Sequence, residues 1–167
     1  MKTVIVAAIT ADGFIGRTAD HLADWTGKAD KKLFVAVTKE AGVMVMGSRT
    51  FATIGRALPG RRTIVYTSRP ETITAEGVET TSETPAELVG RLEREGANGV
   101  AVVGGASIYN QFIAAGVVNE LYLTVAPLLF GTGVPLFGTE ELNIQLELLE
   151  STKLDDNTVL LHYEVIA

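Results

Sequence analysis

Residues 24–61 read DWTGKADKKLFVAVTKEAGVMVMGSRTFATIGRALPGR. This stretch decides the fold because three different periodicities follow one another in it. Over residues 28–40 Asp30, Phe34 and Val37 recur at helical spacing, with Leu33 beside them, and Gly42 supplies a helix stop. GVMVMG (42–47) is a short apolar run with the character of a strand buried on both faces. Arg49 to Ile54 predicts a short helix that Gly55 ends, and Leu58-Pro59-Gly60 is a turn by its chemistry. Helix, buried strand and helix in succession are the signature of an α/β domain.

Working outward, the same alternation continues. TVIVAAI (3–9) is apolar on both faces and predicts a central strand. Thr10, Asp12 and Gly13 end this run as they would end a buried strand, which argues against a signal peptide. The segment between Thr10 and Gly27 is long for a plain connection and is expected to be a functional loop. RTIVYT (62–67) predicts a further strand. Thr84-Pro85-Ala86-Glu87 predicts a capped helix start. GVAVVGG (99–105) predicts a strand, SIYNQFIAAG (107–116) a helix and ELYLTVAPLL (120–129) a strand. The tail, NIQLELLEST then TVLLHYEVIA around a polar Asp155-Asp156-Asn157 turn, predicts a hairpin. The fold class expected is α/β: one domain over 1–167, with a mixed, mostly parallel central sheet flanked by helices and a C-terminal antiparallel hairpin. In such sheets ligands bind beyond the carboxyl ends of the strands.

Composition removes several classes of chemistry. The 167 residues contain no cysteine, so disulfides, thiolate catalysis and Cys-based zinc sites are excluded. His21 and His162 are far apart and form no metal-spaced cluster, so no metal is expected. No apolar run reaches membrane-spanning length. A net charge of −6 disfavours nonspecific nucleic-acid binding. Within that acidic chain, five arginines (49, 56, 61, 62 and 69) lie in a stretch with no Asp or Glu. Arginine suits carboxylate and phosphate, so this island is read either as a site for small anionic molecules or as a solvated surface.

Four features carry possible chemistry. Asp30 shares a helix face with Phe34, so it is either a desolvated carboxyl with a raised pKa or an ordinary first-turn acid facing the helix dipole. Gly104-Gly105 ends a strand just before a helix, where backbone N–H groups can face a pyrophosphate. Gly47-Ser48-Arg49-Thr50 and Thr67-Ser68-Arg69 offer hydroxyls and an Arg each, and neither ends in an acid to grip a ribose diol; they are read either as two polar turns or, with a dinucleotide bound, as favouring a 2′-phosphate. Trp25, the sole Trp, lies in the loop before the Asp30 helix and is read either as a site residue or as a packing residue that anchors that loop, and the two readings are compatible.

Together these residues resemble dihydrofolate reductase over nearly the whole chain. The resemblance rests on VAAITADGFIG, Trp25 and Asp30 five residues apart, MGSRTFATIGRALPGRRTIVYTSR, VVGGASIYNQF and ELYLT. It implies hydride transfer from NADPH to C6 of 7,8-dihydrofolate with protonation at N5, in the cytoplasm. It implies Asp30 and Trp25 as the catalytic pair, and Ala8, Phe34, Ile54, Leu58, Arg61 and Thr124 with Asp30 as the substrate site. Arg61 would pair with the glutamate carboxylate. Ala8, Ile15, Gly47, Arg49, Thr50, Ser68, Arg69, Gly104, Gly105, Ala106, Ser107, Ile108 and Tyr109 would hold NADPH, with a cis peptide at Gly104–Gly105. The partner implied is a small-molecule substrate, with no nucleic acid or membrane; the oligomeric state is not given by the sequence, a monomer being slightly favoured. Departures from the family pattern are Ser48 after the MG pair, Lys31 where an apolar residue is usual, and Asp24 where proline is common. The segment GVVNELYLTVAPLLFGTGVPLFG resembles instead the pyrimidine reductases of riboflavin synthesis, which share the fold and NADPH. A non-enzymatic NADPH-binding module is the third reading.

Overall fold

The computed structural model describes residues 1–19 and 24–166. Its centre is an eight-stranded sheet in the order β5-β4-β3-β6-β1-β7-β10-β9. The first strand, β1 (Lys2–Thr10), runs between β6 (Gly99–Val102) and β7 (Glu120–Ala126), parallel to both. On the far side of β6 lie β3 (Val43–Gly47), β4 (Arg62–Tyr66) and β5 (Val78–Thr81), again parallel. The other edge is the expected hairpin: β10 (Val159–Val165) pairs antiparallel with β7 and with β9 (Leu146–Lys153). The fold class expected from the sequence is the one observed.

Each face of the sheet has its own core, which explains why the inner strands are apolar throughout. On one face α1 (Gly27–Ala41) and α2 (Ser48–Ile54) place Phe34, Val37, Phe51 and Ile54 against Val4, Val6, Met44, Met46 and Val65. On the other, α3 (Pro85–Arg94) and α4 (Ala106–Ala114) place Leu88, Leu92, Ile108 and Phe112 against Ile5, Val45, Ile64 and Val102. The glycine stops read from sequence hold: Gly42 and Gly55 close α1 and α2 at φ +84° and +77°. Thr84 caps α3 by accepting a hydrogen bond from the Glu87 N–H at 3.2 Å.

Several elements differ from expectation, among them β7, which ends at Ala126 rather than at residue 129. The 10–27 segment is not wholly irregular: β2 (Phe14–Gly16) pairs with β8 (Val134–Pro135), a two-residue strand with no periodicity to read. β5 lies in a stretch that gives no strand signal beyond Val78, because only four polar-rich residues pair. The strand predicted over 99–105 ends at Val102, and the two glycines after it turn the chain into α4. His21 falls outside the described residues. Among the described residues no helix is long and apolar enough to cross a membrane, and no cluster of His, Asp and Glu could hold a metal.

Candidate functional site

β1 and β3 end on either side of β6, and the order of connections reverses there, since the chain runs from β1 out to β5 before returning to β6. A cleft of about 1150 Å³ opens at this point, beyond the carboxyl ends of the three strands. α1 closes one end of it with Asp30 and Phe34, and α4 closes the other with its first turn.

At the α1 end Asp30 is half-buried, and burial lifts its carboxyl above the ordinary aspartate range. The Thr124 and Thr26 hydroxyls and the Lys31 ammonium oppose that shift without cancelling it. An ordinary exposed first-turn acid is therefore excluded. Thr124 stands opposite Ala8 in the β1–β7 register, which brings its buried hydroxyl towards Asp30. That hydroxyl influences the carboxyl but makes no hydrogen bond of full geometry. Trp25, just before the helix, lines the same end, and its indole Nε1 is buried without a partner. An orphaned buried donor of this kind is a natural place for an ordered water.

The other end is built from glycine. The Gly104–Gly105 peptide is cis, as the family resemblance implies. Gly104 adopts φ +141°, and a Cβ there would lie 3.0 Å from Thr50 Oγ1. A Cβ on Gly47 would lie 3.1 Å from Ile108. At both glycines the backbone packs so closely on Thr50 and Ile108 that a side chain would crowd them. α4 begins there with no side-chain cap, so its first N–H groups stay available to an anion. The hydroxyls of Ser48, Thr50, Thr67, Ser68 and Ser107 and the side chain of Arg49 line the same region. This donor set, with no carboxylate free at the end of β4, fits a phosphate-bearing dinucleotide. Glu83, close by, is held by Arg91 through bonds of 2.9–3.1 Å.

Tyr109 sits between the two ends, donating its hydroxyl to the Val6 carbonyl at 2.7 Å. Complete burial and the Asp30 charge push that phenol strongly upwards, so it is a fixed neutral wall. Ala8, Ile15, Ile54 and Leu58 supply apolar lining between.

Of the predicted residues, the cleft brings together all but Arg61, Arg69 and Thr124. Thr124 acts from behind, through Asp30. Arg69 is exposed, and Arg61 donates to the Pro59 carbonyl instead. Arg62, from the same basic island, belongs to a surface network: it grips Glu79 with two bonds of 2.8 and 2.9 Å and reaches Glu95 at 2.9 Å. Sequence reading missed Tyr66, Thr81, Ser82 and Val134 in the lining. All four belong to, or directly follow, the ends of β4, β5 and β8, and two of those strands carry no periodic signal.

Comparison with known proteins agrees with this geometry. The model of the dihydrofolate reductase family matches residues 2–137. The chain is 38% identical to dihydrofolate reductase type 3 of Salmonella typhimurium over 74% of its length and 71% of that protein's. It is 28% identical to the uncharacterized protein YwjB of Bacillus subtilis over 97% of each chain. Among solved structures, dihydrofolate reductase from Enterococcus faecalis, complexed with NADP(H) and RAB-propyl, superposes with a TM-score of 0.78 at 25% identity, covering 99% of this chain and 97% of that one. A putative riboflavin biosynthesis protein from Shewanella sp. PV-4 shares the fold with a TM-score of 0.83 at 22% identity, each chain fully covered. The chain belongs to the dihydrofolate reductase family, whose members are NADPH-dependent oxidoreductases.

Proposed function

We propose that this protein reduces 7,8-dihydrofolate to 5,6,7,8-tetrahydrofolate with NADPH, as part of cytoplasmic one-carbon metabolism. The observation that carries the reading is Asp30: a carboxyl with a raised pKa, on the apolar wall of a cleft whose other end is built for phosphate. NADPH, when bound, supplies the hydride.

The chain's own residues do the rest. Gly104, Gly105 and the start of α4 hold the pyrophosphate, with Thr50 beneath them. Arg49, Ser68 and Arg69 take the 2′-phosphate end. Phe34, Ile54 and Leu58 sandwich the flat heterocycle. Asp30 accepts hydrogen bonds from the ring's amide and amino groups and, with its pKa raised by burial, supports protonation at N5. Trp25 and the apolar lining keep bulk water from competing.

A spectrophotometric assay of NADPH loss with dihydrofolate tests the reading, run beside Asp30→Asn. The native protein is expected to turn over. The variant should retain NADPH binding and lose about 10²–10⁴-fold in kcat near pH 7. Native turnover that survives the substitution intact would remove Asp30 from the chemistry.

One observation favours a second reading. Arg61 does not line the cleft, so the residue expected to take the glutamate tail stands outside the lining. A riboflavin-type ribosylamino-pyrimidine would not need it. No NADPH oxidation with dihydrofolate, from protein that binds NADPH, would favour this substrate class.

A further inference from the structure

The Trp25 indole Nε1 is buried and bonds to no protein group among the described residues, so no protein hydrogen bond fixes the ring's orientation. Packing must hold it. The ring against it is Phe130, whose centroid lies 5.3 Å away at an interplanar angle of 68°, an edge-to-face contact. Phe130 comes from the segment between β7 and β8, far away in sequence, and lies outside the cleft lining.

Phe130 is itself held from two sides. Its N–H donates to Asp12 Oδ1 at 3.2 Å, and the Gly131 N–H donates to Oδ2 at 2.8 Å. The Thr10 hydroxyl donates to the same Oδ1 at 2.6 Å, which fixes the carboxylate, and accepts from the Phe14 N–H at 2.9 Å. The Arg17 guanidinium stands 4.1 Å from the centroid of the Phe130 ring. A single carboxylate thus ties the loop after β1 to the segment after β7, and the aromatic ring between them bears on Trp25. None of these residues contacts the cleft chemistry directly.

We propose that Phe130 is a positioning residue: its ring sets the Trp25 indole as the wall that shields the Asp30 end of the cleft from water. The proposal rests on the functional reading above for its consequence in turnover, but not for its physical test. Thr26, next to Trp25, is one of the hydroxyls that act on Asp30, so displacement of the indole reaches the carboxyl through one peptide unit as well as through solvent. Among the described residues, the other groups facing Asp30 are Thr124 from β7, Lys31 from its own helix, and the neutral phenol of Tyr109 from α4. Phe130→Ala alters none of them. Asp12 and Arg17 face Phe130 and are kept.

The test uses Phe130→Ala and Phe130→Tyr in the full chain. Because Trp25 is the sole Trp, its emission reports the wall directly. In Phe130→Ala, acrylamide quenching of Trp25 should rise about twofold or more, since edge-to-face shielding is lost. The Asp30 carboxyl, followed by ¹³C NMR and assigned with Asp30→Asn, should titrate at lower pH as water reaches it. With dihydrofolate, kcat should fall about tenfold with the pH profile moved to acid, while NADPH affinity stays native. Phe130→Tyr, which keeps the ring, should restore all of these. Native quenching and a native Asp30 titration in Phe130→Ala would overturn the proposal, and so would Phe130→Tyr behaving like Phe130→Ala. Absence of dihydrofolate turnover in the native protein would instead count against the functional reading, and the quenching and titration arms, run without substrate, would still decide the role of Phe130.

Discussion

His162 Nε2 lies 2.6 Å from Glu120 Oε1, at the end of the sheet opposite the cleft. Lys2 Nζ reaches the other oxygen at 2.6 Å, and the His162 ring stacks on Tyr122 at 3.9 Å. Burial alone would raise the Glu120 carboxyl, but the Lys2 and His162 contacts outweigh it and the net effect is to lower it. A carboxyl lowered on folding stabilises the protein above its unfolded value and loses that contribution as pH falls through the folded value. Acid unfolding of the native protein should therefore begin below about pH 4.5. Glu120→Gln should lower stability by about 1–3 kcal/mol at pH 7 and flatten this acid limb. Urea unfolding between pH 3 and 7 measures both.

Asp30 has the opposite sign. Its carboxyl is raised by burial, so folding is most favoured where it is protonated and loses stability as pH rises from the unfolded value through the folded one. Asp30→Asn removes that penalty. The variant should be more stable than the native protein at neutral pH, with Tm higher by about 2–4 °C, while losing activity. Calorimetry at pH 7 and at pH 4 checks this, since the difference should shrink at the lower pH.

Gly104→Ala places a Cβ 3.0 Å from Thr50 Oγ1 on a backbone at φ +141°. The cost in stability should be about 1–3 kcal/mol. NADPH affinity should fall at least about tenfold, because the amide cradle is displaced. Thr50→Ala in the same chain relieves the contact but not the backbone angle, so it should restore only part of the loss. Isothermal titration with NADPH separates the two.

Arg61 is held by the Pro59 carbonyl, and burial lowers its guanidinium while its Nε stays orphaned. If it turns to meet a glutamate tail, Arg61→Leu should raise the KM for dihydrofolate about tenfold or more. The KM for NADPH should change less than about twofold. Equal changes in both would assign Arg61 to the turn rather than to substrate.

Periodicity carried most of this architecture. The 28–40 pattern put Asp30 and Phe34 on one face, and both line the cleft. Glycines marked the helix stops because only they take the left-handed angle there. What periodicity could not carry were pairings of two to four residues: β5 and β8 exist because a neighbouring strand offers an edge, not because their own sequences alternate. Thr81, Ser82 and Val134 went unrecognised with those strand ends, whereas Tyr66 ends a strand that was read but carried no chemical signal of its own. The basic island was likewise unreadable by charge alone. Arg62 and Arg49 are thirteen residues apart and of one type, yet one is spent on Glu79 and Glu95 and the other faces the cleft.

β1 lies in the middle of the sheet, paired among the described residues with β6 and β7. During synthesis, β1 is therefore complete at Thr10 but has no neighbour until Gly99–Val102 emerges. At ribosomal rates of about 5–20 residues per second, that interval is roughly 5–18 s. For its duration a strand apolar on both faces stands bare beside a growing chain. Nascent chains stopped before residue 99 should accordingly be aggregation-prone and dependent on chaperones, and chains extended past β7 should not be.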